Sequence, residues 1–131
     1  MKGIDTNILV RYLVRDDPVQ FRAASRLIEN DCSLQEPGFV NQVVLVEIVW
    51  VLESGYRLAR PEIVRALRAL LLTSQLSIEH PDDARAALDE YEDGADFADG
   101  LIAAANSRAG CEYTATLDRR AARRKGFHLI K

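Results

Sequence analysis

Apolar residues along the chain recur at two spacings, one suited to strands and one to helices. Residues 2–4 read as a short strand, after which NILVRYLV sets Ile8, Leu9, Tyr12 and Leu13 at helical intervals until Asp16, Asp17 and Pro18 interrupt. VQFRAASRLIEN, residues 19–30, carries Phe21, Ala24, Leu27 and Ile28 on one face and predicts a second helix. Pro37-Gly38 opens a new element. The valine-rich run that follows divides into a strand at Phe39 and Val40, a cap at Asn41 and a helix over 43–53 ending near Gly55. Residues 61–75 place Ile63, Ala66, Leu67, Leu70 and Leu71 on one side of a helix that starts at Pro61.

The remaining pattern predicts a strand in LSIEH, a helix in PDDARAALDEY and a helix in DFADGLIAAANSRAG closed by Gly110. CEYTATL is then a strand, RRAARRK a basic helix and FHLI a final strand. Strands alternating with helices predict a parallel sheet with helices on both faces, and ligands in such folds gather at the carboxyl ends of the strands. No repeat or linker breaks the chain, so its 131 residues are expected to form one domain.

Against this pattern, single carboxylates stand out. Asp5 ends the first strand, Asp118 ends the strand before the basic segment, and Glu47 lies in VVLVEIVWVL. Asp96 and Asp99 open the helix DFADGLIAAA. Each has a structural account: Asp5, Asp96 and Asp118 as helix caps, Glu47 on an exposed helix edge or paired with an arginine. Their coincidence is the argument, because Asp5, Glu47, Asp99 and Asp118 all fall at, or one turn beyond, the expected carboxyl ends of strands. Carboxylates gathered in one crevice repel unless protons or cations neutralise them. Oxygen ligands without nearby His or Cys suit Mg²⁺ or Mn²⁺, and one or two such ions favour phosphodiester hydrolysis by activated water.

Composition narrows the field. With 48% hydrophobic and 28% charged residues the chain has a globular balance, and no apolar run approaches the ~18 residues of a spanning helix. A strand starting at residue 2 leaves no room for a secretory signal, so a cytoplasmic protein without membrane association is expected. Cys32 and Cys111 lack metal or redox spacing. A net charge of −3 argues against a general basic nucleic-acid binder, yet Arg119, Arg120, Arg123, Arg124 and Lys125 cluster beside Asp118. They could hold RNA phosphates or form a solvated face.

DTNILVRYL, VVLVEIVWVL, DFADGLIAAANSRAG and TATLDRRAARRKGF, in this order and at about this spacing, resemble the PIN-domain ribonucleases, in particular the VapC-type toxins of prokaryotic toxin–antitoxin pairs. The resemblance covers nearly the whole chain. It implies a three-layer α/β/α PIN-like fold with a central parallel β-sheet and a metal-dependent endoribonuclease site. Asp5, Glu47, Asp99 and Asp118 match the family's acidic quartet and Asp96 an accessory acid, so that Asp5 and Asp99 would hold the main ion. Thr6, Asn7 and Thr116 would organise the site. The resemblance further implies an RNA substrate, a homodimer and a cognate VapB-like antitoxin, with the helix over 61–75 and those before it as the candidate contact surface.

Two other classes share some of these features. A receiver domain also uses carboxylates around Mg²⁺, but its adjacent acidic pair closes the first strand, whereas Asp16-Asp17 follows a helix. A dehalogenase-type phosphatase expects an aspartate where Asn7 stands. A non-catalytic PIN-fold binding module would keep the acids only to bind a partner.

Overall fold

The computed structural model describes all residues, Met1–Lys131, and they fall into two compact units, Met1–His80 and Pro81–Lys131.

In the first unit three parallel strands pair in the order β1 (Lys2–Gly3), β2 (Gly38–Val40) and β3 (Leu76–Ile78). The register sets Lys2 against Gly38 and Gly38 against Leu76. Ile4, expected within the first strand, continues its ladder by donating its N–H to the Phe39 carbonyl at 2.9 Å. Gly38 is required there, since a Cβ would meet Ile4 Cγ1 at 2.8 Å.

The strands are connected by helices, as parallel pairing demands. α1 (Thr6–Val14) and α2 (Pro18–Arg26) lie between β1 and β2, and α3 (Gln42–Ser54) and α4 (Arg60–Leu71) between β2 and β3. Asp17 caps α2 by accepting from Gln20 N–H at 3.1 Å, and Asn41 caps α3 by accepting from Val44 N–H at 2.9 Å. The second helix does not run to residue 30 as a regular element: it widens into a π-turn over Leu27–Asp31, closed by Cys32 N–H donating to the Leu27 carbonyl at 3.0 Å. α4 stops short of Gln75 because Leu72 and Thr73 bond back into its last turn. Leu9, Ile28, Val40, Leu45, Ile48, Leu52, Ile63, Leu67 and Leu70 are fully buried and form the core.

The second unit begins with α5 (Pro81–Glu92) and α6 (Phe97–Arg108), an antiparallel helix pair, followed by two parallel strands, β4 (Thr114–Thr116) and β5 (Phe127–Leu129). Gly100 allows the close approach of the two helices, for a Cβ would lie 2.9 Å from Ala87 Cα. Tyr91 and Phe97 meet edge to face with centroids 6.2 Å apart. Asp83, buried in the first turn of α5, accepts two bonds from Arg108 in the last turn of α6, at 2.9 and 2.8 Å. Parallel pairing holds throughout, as the alternation predicts.

Three expectations change. The basic segment is not an α-helix: residues 119–125 form a turn and one 3₁₀ turn, Ala121–Arg123, before Arg124 becomes extended and Gly126 takes φ 89°. Four arginines and a lysine within seven residues repel one another, and the glycine then redirects the chain into β5. Helix α4 does not offer its apolar side as a contact surface, because Ile63, Val64, Leu67 and Leu70 are spent in the core. Trp50, which stands in the apolar run VVLVEIVWVL and so reads as a core residue, is 66% exposed.

No helix is long and apolar enough to cross a membrane. Both cysteines are free, Cys32 buried and Cys111 exposed.

Candidate active site

The first unit carries two of the four matched acids. One residue past β1, beyond Ile4, the chain turns directly into α1, with Asp5 as its N-cap in extended conformation. One carboxylate oxygen of Asp5 accepts from Thr6 N–H at 2.8 Å. Thr6 is buried, and its hydroxyl donates to Glu47 Oε1 at 2.7 Å. Glu47 therefore stands exposed on α3, as one reading of the sequence allowed, but its partner is a hydroxyl and not an arginine. Asn7 is exposed at a hollow of about 350 Å³ with Ile8, Arg11 and Gln20, and the structure gives it no carboxylate partner. Of the two expected organisers in this unit, Thr6 hydrogen-bonds one of the matched acids and Asn7 does not.

The second unit carries the other acids. Asp96 caps α6, its Oδ2 accepting from Asp99 N–H at 3.1 Å. Asp99 is half-buried beside a hollow of about 670 Å³ lined also by Gly100, Ala103 and Ser107. Burial, reinforced by the nearby charges of Asp96 and Asp118, pushes its carboxyl pKa above the ordinary value. Asp118 follows β4, and its Oδ1 accepts from Arg120 N–H at 2.8 Å. The Thr116 hydroxyl accepts from Asp118 N–H at 3.0 Å, so Thr116 fixes the backbone of Asp118 rather than its carboxylate.

Three of the four acids follow strands as expected: Asp5 after β1, Glu47 on the helix after β2 and Asp118 after β4. Asp99 does not, since α5 and a short loop precede its helix. What places it is the Asp96 cap, three residues earlier, a spacing visible in the sequence.

A common arrangement emerges within the separate units. Asp5, Glu47, Asp96 and Asp118 are each held through one oxygen, leaving the other without a hydrogen-bond donor, and the Asp99 carboxylate has no donor at all. Such side chains can each supply one oxygen to a hard cation. No three His, Cys, Asp or Glu side chains close on a common point at ligand distance. Within the second unit a cation would offset the burial that raises the Asp99 pKa and the lesser repulsion from Asp96 and Asp118, and the all-oxygen donor set fits a divalent ion of the Mg²⁺ or Mn²⁺ kind.

The basic residues divide. Arg119, Arg120 and Arg123 are exposed beside Asp118. Arg124 is engaged elsewhere: its Nε donates to Glu90 Oε2 at 3.1 Å, its Nη2 to Asp93 Oδ2 at 3.0 Å, and Nη2 forms a further close ion pair with Glu90. The competing acids, Glu90 on α5 and Asp93 just after it, carried no distinguishing signal in the sequence. His80 and His128 are exposed, His128 lying against Tyr113 with ring centroids 4.8 Å apart.

Compared with protein families, the chain matches the PIN domain over residues 3–127, a span that runs through both compact units. No curated protein matches it.

Proposed function

The chain belongs to the PIN-domain family, whose members are generally nucleases that need divalent metals, and from that premise we propose that it is an endoribonuclease hydrolysing RNA phosphodiester bonds as the VapC-type toxin of a type II toxin–antitoxin pair. Asp5, Glu47, Asp99 and Asp118 are its catalytic acids, with Asp96 in support, and they hold one or two Mg²⁺ or Mn²⁺ ions. The observation that carries this reading is that Asp5, Glu47 and Asp118 are each held through one carboxylate oxygen, with the other left free to meet a cation.

When bound, the cation supplies Lewis acidity that activates water and stabilises charge at phosphorus. The residues of the chain supply placement. Thr6 holds Glu47 by its hydroxyl, Asp96 holds the first turn of α6 and so the position of Asp99, and Thr116 holds the turn that carries Asp118. Arg119, Arg120 and Arg123 are free to attract RNA phosphates, while Arg124 stabilises the second unit. The protein acts in the cytoplasm as one PIN domain and as a homodimer, silenced by a cognate VapB-like antitoxin.

The test is incubation of the purified, antitoxin-free protein with total RNA and Mg²⁺ or Mn²⁺, alongside EDTA and an Asp99→Asn variant. Discrete cleavage that disappears in both controls is expected. The rival reading is a non-catalytic PIN-fold binding module that keeps the same acids only to bind a partner. Identical RNA profiles from folded, metal-loaded wild type and variant would decide for it.

A further inference from the structure

The hollow of about 350 Å³ in the first unit is lined by Asn7, Ile8 and Arg11 from α1 and by Gln20, Ala23 and Ala24 from α2. Its volume falls among those of small-ligand sites, about 300–1,000 Å³. Asn7 follows Asp5 and Thr6 in the first turn of α1, and Arg11 lies one turn further along the same face, so the hollow begins beside the first matched acid. The Arg11 guanidinium is held from two sides. Its Nε donates to Gln20 Oε1 at 2.6 Å, and its Nη1 donates to Asp16 Oδ1 and to the Tyr56 hydroxyl oxygen, both at 2.9 Å. Tyr56 in turn donates to Asp16 Oδ2 at 3.0 Å, which ties the segment after α3 into the same network. Nη2 takes no part in it, and neither does the amide nitrogen of Gln20, whose oxygen is occupied by Arg11. The hollow is therefore rich in hydrogen-bond donors.

We propose that this hollow is a guanine subsite that seats the base of a nucleotide beside the phosphodiester to be cleaved, with Arg11 Nη2 and the Gln20 amide nitrogen donating to its O6 and N7. Guanine sets two acceptors side by side on that edge, whereas adenine sets a donor beside N7, cytosine presents a donor and uracil a single acceptor. Single-stranded RNA leaves these edges open to a protein. Ile8, Ala23 and Ala24 offer apolar surface to the ring. Phosphate is the poorer occupant, because Asp16 at 2.9 Å already balances the charge of Arg11 and the other lining residues are neutral. The inference rests on the RNA-binding part of the reading above and adds the base that is selected; Arg11 and Gln20 are its specificity-determining residues.

The experiment is fluorescence anisotropy with the full-length Asp99→Asn chain in Mg²⁺, titrated into labelled oligouridylates that carry one central guanine, inosine, 7-deazaguanine or adenine. Inosine keeps O6 and N7, 7-deazaguanine lacks N7, and adenine replaces O6 by an amine. Guanine and inosine strands are expected to bind roughly 10- to 100-fold tighter than the other two. Arg11→Lys in the same background is expected to level the four while the adenine strand binds as before and circular dichroism is unchanged. Equal affinity for all four strands in the parent chain overturns the subsite. A guanine preference that survives both Arg11→Lys and Gln20→Ala belongs to another surface and overturns it too. If Arg11→Lys unfolds, the base series with Gln20→Ala decides. Free GMP that displaces the guanine strand at equimolar concentration would assign the hollow to a mononucleotide and overturn its place beside a cleaved bond. Cleavage of total RNA by wild type without any guanine preference leaves the nuclease reading standing and removes only the subsite, whereas a guanine preference without cleavage does the reverse.

Discussion

A buried hydroxyl with a single carboxylate acceptor fixes a side chain more firmly than an exposed bond can, and Thr6 does this for Glu47. Thr6→Val, nearly isosteric, is expected to lower kcat for RNA cleavage about 10- to 100-fold, the usual effect of losing a group that orients a metal-binding side chain. Thr6→Ser should retain most activity, and steady-state kinetics with a thermal melt of each variant separate placement from folding. Asp99 makes the opposite case, a carboxylate that its surroundings disfavour. Burial and the charges of Asp96 and Asp118 raise its folded pKa above that of the unfolded chain. As pH rises the unfolded chain therefore releases its proton first, and stability present below the ordinary carboxylate range is lost as pH climbs through the folded pKa. Metal-free Asp99→Asn is expected to melt above wild type at neutral pH, with the advantage gone below about pH 4. Melting curves across that range check it. The candidate acids were legible because each interrupts an apolar or strand-end pattern. Their hydrogen-bond partners were not, since the Thr6–Glu47 bond joins residues 41 apart in sequence.

Among the elements, the α5–α6 pair has the tightest backbone approach, with Gly100 facing Ala87. Gly100→Ala removes the clearance and is expected to cost about 1–3 kcal/mol, read as a lower denaturant midpoint with an unchanged slope. The basic segment divides differently. Replacing Arg119, Arg120 and Arg123 together by Ala is expected to lower the salt dependence of RNA binding by roughly 2 logarithmic units of slope, at about 0.7 per phosphate contact. Arg124→Ala should leave that slope unchanged and reduce stability instead, because its guanidinium holds Glu90 and Asp93. Titrations at several salt concentrations distinguish the two. The expected basic helix failed for a related reason: a pattern of charges marks a polar surface but does not show that α5 offers acids to Arg124. By contrast α1, α3 and α6 began where their caps predicted, since an N-cap is satisfied by backbone N–H groups within three residues of it.

At the scale of the molecule, the chain divides at His80 and Pro81 into two compact units, while the PIN-domain match runs continuously from residue 3 to residue 127. If the chain is one domain, as proposed, neither unit has a separate melting transition. Calorimetry should then show a single peak with equal calorimetric and van't Hoff enthalpies. Two resolved peaks would mean that the halves fold independently.

Local chemistry is written in neighbouring residues, so the sequence alone determined the parallel α/β class, the caps and turns, and the acids that interrupt the apolar pattern. Other features depended on residues far apart in the chain, and only tertiary structure decided them. It buried the apolar side of α4 in the core, left Val43 and Trp50 of α3 exposed, paired Arg124 with α5 and gave Glu47 to the Thr6 hydroxyl. The physical reason is that periodicity reports how much of a helix is apolar, whereas which side is covered, and by what, depends on the elements that pack beside it.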